Sequence, residues 1–250
     1  TKVQLVIDAG AKYLHTPMNR RGTNPFEDLN LIMLYRKVLK TVNPDVVLTF
    51  TIKPNIYGTY VASKFDKPVI MNITGIGSSL VTGNLKIIVK NMYKCACKKA
   101  DVVFFENEDN RLFFLQNNIV NYKKTVLLPG AGVNINKFRP AEKTYKNNNI
   151  KFLFIGRIMK EKGIEEYLEV ASKITKKYGN TEFQILGPFE EKQYEALILK
   201  NKNPKIKYLG VSNDVRDEIK EADCIVHPSY HEGMSNVLLE GAAMGKPLIA

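Results

Sequence analysis

Cysteine, histidine and long apolar runs are what this sequence has little of. Three cysteines occur in 250 residues, Cys95, Cys97 and Cys224, an odd number with no C-x-x-C pair and no Cys/His cluster. That pattern argues against a disulfide framework or a zinc site and reads as three reduced, buried thiols of a cytoplasmic protein. The three histidines, His15, His227 and His231, make no evident acid/base set. His231 reads as a polar loop residue and His227 as the end of a strand. No stretch approaches the eighteen or so apolar residues of a membrane span, and Thr1-Lys2-Val3 does not begin a signal peptide. The chain has no initiator Met, starts almost directly in an apolar segment and stops on the run Pro247 to Ala250, which reads as an internal fragment. Short-period repeats are absent, and the only low-complexity tract is Asn147 to Asn149.

What is there is a soluble globular composition, 44% hydrophobic, enough for one large or two modest cores. A formal charge of +12 and a pI near 9.4 imply an anionic partner: nucleic acid, an anionic membrane surface or a phosphorylated substrate. Charge alone does not choose among them. Arg and Lys are, however, spread along the chain with no aromatic-basic platform, so no nucleic-acid partner is expected.

Apolar runs alternate with helical patterns from end to end. Strands are expected at Val3 to Ile7, Val46 to Phe50, Val69 to Ile73, Val102 to Phe105 and Val126 to Leu128, with helices at Glu27 to Thr41, Tyr57 to Lys64, Leu85 to Lys99 and Asn110 to Asn117. From Asn134 to Asn149 periodicity fades and Asn, Lys and Pro gather. Strands then recur at Lys151 to Ile155, Phe183 to Leu186, Ile206 to Leu209 and Cys224 to His227, separated by helices at Ile164 to Tyr178, Glu190 to Lys200 and Asp214 to Glu221. The fold class is therefore α/β, with mostly parallel, doubly wound sheets. The expected division is a first Rossmann-like domain over 1–140, a linker over 141–149 and a second over 150–250.

In such sheets ligands bind beyond the carboxyl ends of the strands. In the second half those ends are Gly156-Arg157, Gly187-Pro188, Gly210-Val211 and the stretch from Ser229 to Ser235. The richest follows Cys224 to His227: Pro228-Ser229-Tyr230-His231-Glu232-Gly233-Met234-Ser235-Asn236-Val237-Leu238-Leu239-Glu240. It reads as strand, tight loop and helix, with Leu238-Leu239 and Ala242-Ala243 on a buried face and Asn236 and Glu240 on the other. A helix start presents free N–H groups and a positive dipole end, favouring a phosphate beside Gly233, Met234, Ser235 and Asn236. Glu240 lies one turn further, roughly 6 Å along the axis, where a carboxylate can accept from a ribose diol. Glu232, in the loop, can accept from a hexose beyond the phosphates. On spacing alone two carboxylates eight apart are more often a solvated surface than a site. The turn Gly156 to Gly163 adds Arg157 and Lys162, a fork and a mobile ammonium suited to a diphosphate, although an ordinary charged loop has the same composition.

The twenty positions from Pro228 to Pro247 resemble the E-x₇-E region of family-4 retaining glycosyltransferases of the GT-B fold. The G-R-x₃-E-K-G turn at Gly156 to Gly163 is similar to the diphosphate-clamping loop of that family, and no D-x-D motif appears. Thr49 to Gly58, Asn72 to Gly77 and R-x₂-N-P-F at Arg21 to Phe26 resemble a bacterial subgroup acting in capsule, exopolysaccharide and lipid-linked oligosaccharide assembly. The likeness covers essentially the whole chain. It implies two Rossmann-like domains facing across a cleft, both incomplete here, with a first strand and glycine-rich loop upstream of Thr1 and more of the second domain beyond Ala250. It further implies a metal-independent hexosyltransferase with no cofactor beyond a nucleotide-sugar co-substrate, UDP-linked by preference. Glu232, Arg157 and Lys162 would be catalytic, and Gly156, Gly210, Gly233, Met234, Ser235, Asn236 and Glu240 would bind the donor. Lys53, Asn55, Thr74 and Gly75 would meet a polyprenyl-diphosphate-linked acceptor, at the inner face of the cell membrane. For Lys53 a solvated lysine before a helix is an equal reading.

Lys86, Lys90, Lys94 and Lys98 form a stripe flanked by Ile87, Ile88, Met92 and Tyr93, a pattern that fits contact with anionic lipid or a solvated surface helix. Two other readings of the whole stay open: a UDP-sugar 2-epimerase of GT-B architecture, and a non-catalytic anion- or lipid-binding module.

Overall fold

The computed structural model describes residues 2–19, 22, 24–76, 85–142 and 149–250. Arg21, Thr23 and Gly77 of the motifs above lie outside the described residues, as does most of the expected linker. The chain divides into two compact units, Thr1–Leu127 and Leu128–Ala250. Residues 128–140, expected with the first domain, therefore belong to the second unit, because Phe138 is buried in its core and Val133 packs against that core.

The first unit carries a four-stranded parallel sheet in the order β1 (Val47–Phe50), β2 (Val69–Ile73), β3 (Val102–Phe105), β4 (Thr125–Leu127). Val69, Met71 and Ile73 are buried, and so are Val103 and Phe105, alternate residues that give each strand a buried face. The covering helices are α2 (Pro25–Val42), α3 (Thr59–Ser63), α4 (Lys86–Lys99) and α5 (Glu108–Gln116). Phe114 meets Tyr93 and Phe105 edge-on, with ring centroids 5.4 Å and 5.2 Å away. Asn24 and Asn107 cap α2 and α5, each side chain accepting a backbone N–H of the first turn.

Two expectations are corrected in this unit. Val3 to Ile7 is not a strand but lies in the helix α1 (Lys2–Asp8). A strand needs a neighbour for its backbone groups, whereas a helix bonds internally, and Leu5 at 69% exposure faces no sheet among the described residues. Cys95 is exposed, because Cys97 two positions on takes the buried face of α4 and residues so spaced point apart on a helix. The lysine stripe is not uniformly solvated: Lys90 donates to Asn117 Oδ1 at 2.7 Å, and its neighbour Tyr93 is core.

The second unit is a five-stranded parallel sheet ordered β7 (Ile206–Tyr208), β6 (Thr181–Leu186), β5 (Ile150–Ile155), β8 (Cys224–Val226), β9 (Leu248–Ile249). Its helices are α6 (Ile164–Lys177), α7 (Lys192–Leu199), α8 (Arg216–Glu221) and α9 (Asn236–Ala243). One core cluster, with Phe154, Tyr167 and Phe183, and another, with Leu153, Ile219 and Ile225, flank the central strands. No helix among the described residues is long and apolar enough to cross a membrane.

Candidate active site

Parallel strands end on one side, so the loops after β5, β6, β7 and β8 converge there without further instruction. The backbone knits them. Gly156 N–H donates to Leu186 O at 3.0 Å, Ile158 N–H to Pro188 O at 2.8 Å and Gly187 N–H to Gly210 O at 2.8 Å. Gly187 has φ +143°, and a Cβ there would stand 1.9 Å from Gly156 O, so only glycine allows the approach.

The turn after β5 closes on the loop after β8. Glu161 O accepts from Tyr230 N–H at 3.0 Å and from Ser229 Oγ at 3.3 Å. Gly163, at φ +72°, presses against Pro228 so closely that a Cβ would lie 2.0 Å from Pro228 O. Across this seam Lys162 Nζ donates to Glu232 Oε1 in a salt bridge. The same oxygen lies 2.9 Å from Nε2 of His227, a side chain only 6% exposed. Burial alone would raise the Glu232 carboxyl, but the hydrogen bond from His227 and the hydrogen bond and charge of Lys162 outweigh it and bring it down to about 2. Glu232 is thus an anion at any physiological pH.

The helix α9 begins directly after this loop. Ser235 is its N-cap, its hydroxyl accepting from Leu238 N–H, and Asn236 is exposed at its first position. Glu240 is half-buried one turn on. Met234 lies under Gly130, where a Cβ would stand 2.6 Å from Met234 Cγ, so the Pro129 to Gly132 turn braces the loop. Arg157 is 51% exposed and only 3.7 Å from Glu190 Oε2, a loose pairing that an incoming anion can displace.

In the first unit Lys53 Nζ donates to Asp28 Oδ1 at 2.6 Å, and Tyr57 Oη donates to Asp28 Oδ2 at 2.7 Å. Burial, and then Asp28, push the Tyr57 phenol above its ordinary value. Asp28 and Lys53 line a cavity of about 510 Å³ with Pro17, Met18, Leu31 and Leu34. Asn55 is 1% exposed and donates to Asn72 O at 2.9 Å, so it braces the turn beneath Lys53 from inside. Thr74 is exposed and Gly75 half-buried, immediately after β2.

Sequence reading placed Glu232, Lys162 and Arg157 on converging loops and missed three partners. His227 was read as a strand end, and Asp28 and Tyr57 were not singled out. The signal available for His227 was its position, directly after β8 and five residues before Glu232.

A family model described as "Glycosyl transferases group 1" matches residues 149–250, and one described as "Glycosyl transferase 4-like" matches residues 5–107. The chain belongs to the family-4 glycosyltransferases. This glycosyltransferase is 28% identical, over 98% of its length, to the N,N'-diacetylbacillosaminyl-diphospho-undecaprenol alpha-1,3-N-acetylgalactosaminyltransferase of Campylobacter jejuni, of which the match covers 69%. It is 26% identical over 97% of its length to the UDP-Gal:alpha-D-GlcNAc-diphosphoundecaprenol alpha-1,3-galactosyltransferase of Escherichia coli, covering 67% of that protein. Among solved structures, Anabaena Alr3699/HepE in complex with UDP and glucose superposes with a TM-score of 0.74 at 16% identity, over 99% of this chain and 69% of that one. That likeness is one of fold, the two-unit parallel α/β architecture of GT-B glycosyltransferases.

Proposed function

We propose that this glycosyltransferase moves a hexosyl or N-acetylhexosaminyl group from a UDP-sugar to a hydroxyl of a polyprenyl-diphosphate-linked saccharide, with retention, in assembly of a bacterial surface polysaccharide or glycan. The observation that carries the reading is the meeting of Lys162 with Glu232 at the strand ends, directly before the α9 N-terminus. Both relatives named above are transferases whose names specify an undecaprenyl-diphosphate-linked saccharide, which favours this reading over the epimerase and the non-catalytic module.

In the reaction the bond from the anomeric carbon to the diphosphate oxygen breaks and a bond to the acceptor oxygen forms on the same face. The acceptor's proton passes to the departing diphosphate, so no covalent nucleophile is needed. Arg157 and Lys162 take the growing phosphate charge, and free N–H groups of α9 add to it. Glu232 faces the sugar and supports positive charge at its ring, while Glu240 holds the ribose. This arrangement supplies the counter-charge from side chains rather than from a divalent metal. Gly156, Gly210 and Gly233 leave the backbone open to the donor, and Lys53, Thr74 and Gly75 meet the acceptor, with Asp28 holding Lys53 in its cavity.

Calorimetric titration with UDP, GDP and ADP in EDTA tests the donor site. UDP is expected to bind, and Glu240→Ala and Arg157→Ala are each expected to weaken it about tenfold, the loss of one charge-assisted hydrogen bond. Equal binding of all three nucleotides, or none by the folded chain, would defeat the assignment. Support for membrane placement comes from the proposed acceptor and from Ile87 and Ile88, which are 72% and 55% exposed beside exposed Lys86. Replacing Lys86, Lys90, Lys94 and Lys98 by Gln should abolish co-sedimentation with anionic vesicles; unchanged sedimentation would remove that placement.

A further inference from the structure

The imidazole beneath Glu232 has no part in the reaction as described so far. His227 follows β8 directly; its backbone N–H donates to Ile249 O at 2.8 Å, so the main chain that carries the ring is part of the sheet. Nε2 is 2.9 Å from Glu232 Oε1, and Nδ1 is buried with no hydrogen-bond partner among the described residues. A carboxylate can only accept, so Nε2 carries the proton of this contact. The ring is therefore a donor to Glu232 whose position is fixed by the sheet.

Lys162, which also donates to Oε1, is different in kind. Lys162 carries its ammonium on a flexible stem in the turn that meets the diphosphate. When phosphate arrives that ammonium is shared with it, and its hold on Glu232 weakens. His227, buried and fixed to the sheet, cannot follow the phosphate. We propose that His227 is the positioning residue that keeps the Glu232 carboxylate aimed at the transferred sugar while Lys162 turns to the leaving diphosphate. The inference rests on the reading of Glu232 as the group facing the donor sugar.

Two substitutions separate this role from packing. In His227→Gln the side-chain amide reaches the position of Nε2 and donates to Glu232. In His227→Asn it reaches only the position of Nδ1 and does not. The measurements on the full chain are UDP affinity by calorimetry, and kcat and KM for release of UDP from UDP-N-acetylgalactosamine and UDP-galactose with water as acceptor. His227→Asn is expected to lower kcat at least tenfold with UDP affinity within about twofold of wild type, and His227→Gln to recover most of the loss. Added to Glu232→Gln, His227→Asn should cost nothing more, since the group it positions is already gone. Equal loss in both variants, or an undiminished cost in the Glu232→Gln background, would overturn the inference and leave the donor site standing. If the folded wild type bound no UDP, the donor-site reading would fall and this inference with it. If His227→Asn does not fold, the comparison of His227→Gln with wild type decides alone: a tenfold fall in its kcat at unchanged UDP affinity overturns the proposal, and near-wild-type kcat supports it.

Discussion

Glu232→Gln is expected to lower the rate of sugar transfer by about 100-fold or more while leaving UDP affinity within a few-fold of wild type. The substitution keeps the shape and removes the charge. A single preorganised group aimed at charge developing in a transition state is worth roughly 10²- to 10³-fold in mutagenesis, and positive charge builds at the sugar ring as the diphosphate leaves. UDP lacks the sugar, so in the proposed reaction its binding rests on Arg157, Glu240 and the α9 N-terminus instead. The loss should therefore fall on kcat, the pattern of an interaction made only in the transition state. A Gln variant with full turnover would end the role assigned to Glu232. The same carboxylate also makes a pH signature. Its carboxyl is brought down from the ordinary 4.5 to about 2 in the folded chain, because hydrogen bonds from His227 and Lys162, with the charge of Lys162, outweigh burial. A depressed carboxyl stabilises the fold fully above pH 4.5, and that contribution fades as pH falls towards 2. Thermal melts across that window should show a shallower acid decline for Glu232→Gln than for wild type.

Much of this was legible because parallel sheets bury their strands on both faces. Val69–Ile73 and Val102–Phe105 are short apolar runs between helical patterns, and the structure has strands at those residues. The loop-to-helix stretch from Pro228 was legible for a related reason, since a strand that must be followed by a helix leaves few places for Ser235 except its cap. Val3 to Ile7 failed because five residues, four of them apolar, fit either period, and among the described residues only the absence of a neighbouring strand decides. Cys95 failed because two cysteines two apart on a helix cannot share a buried face. The partners of the functional groups were least visible. Lys162 and Glu232 are seventy positions apart and Lys53 and Asp28 twenty-five, so their meetings are properties of sheet order and loop closure, which no local pattern encodes. His227 is the instructive case: its burial reads from the strand, but its donor role exists only because the chain turns back within five residues to bring Glu232 over it.

That turning back depends on one glycine, and Gly163→Ala is expected to be among the most damaging small substitutions in the second unit. Gly163 sits at φ +72° and ψ +29°, closing the 3₁₀ turn Lys160–Lys162 and opening α6, and its N–H donates to Lys160 O at 2.8 Å. An alanine there meets two separate costs. The left-handed conformation costs an L-residue about 1–2 kcal/mol. The added Cβ would also lie 2.0 Å from Pro228 O, backbone rather than a movable side-chain tip, so the turn and the Pro228 loop must part. A total loss of about 2–4 kcal/mol is expected, at the large end for a single methyl. Gly210→Ala separates the two costs, because Gly210 has φ +83° with open space around its Cβ and meets the conformational cost alone. Gly163→Ala should therefore melt several degrees below Gly210→Ala. The site should suffer with the seam. Glu161 O would lose Tyr230 and Ser229, Lys162 would be drawn off Glu232, and affinity for a UDP-sugar should fall about tenfold or more, a few ångströms of misplacement being enough. Equal melting of the two alanine variants, with UDP-sugar affinity intact in Gly163→Ala, would mean that the seam yields without cost and that contact between the two loops is not what assembles the site.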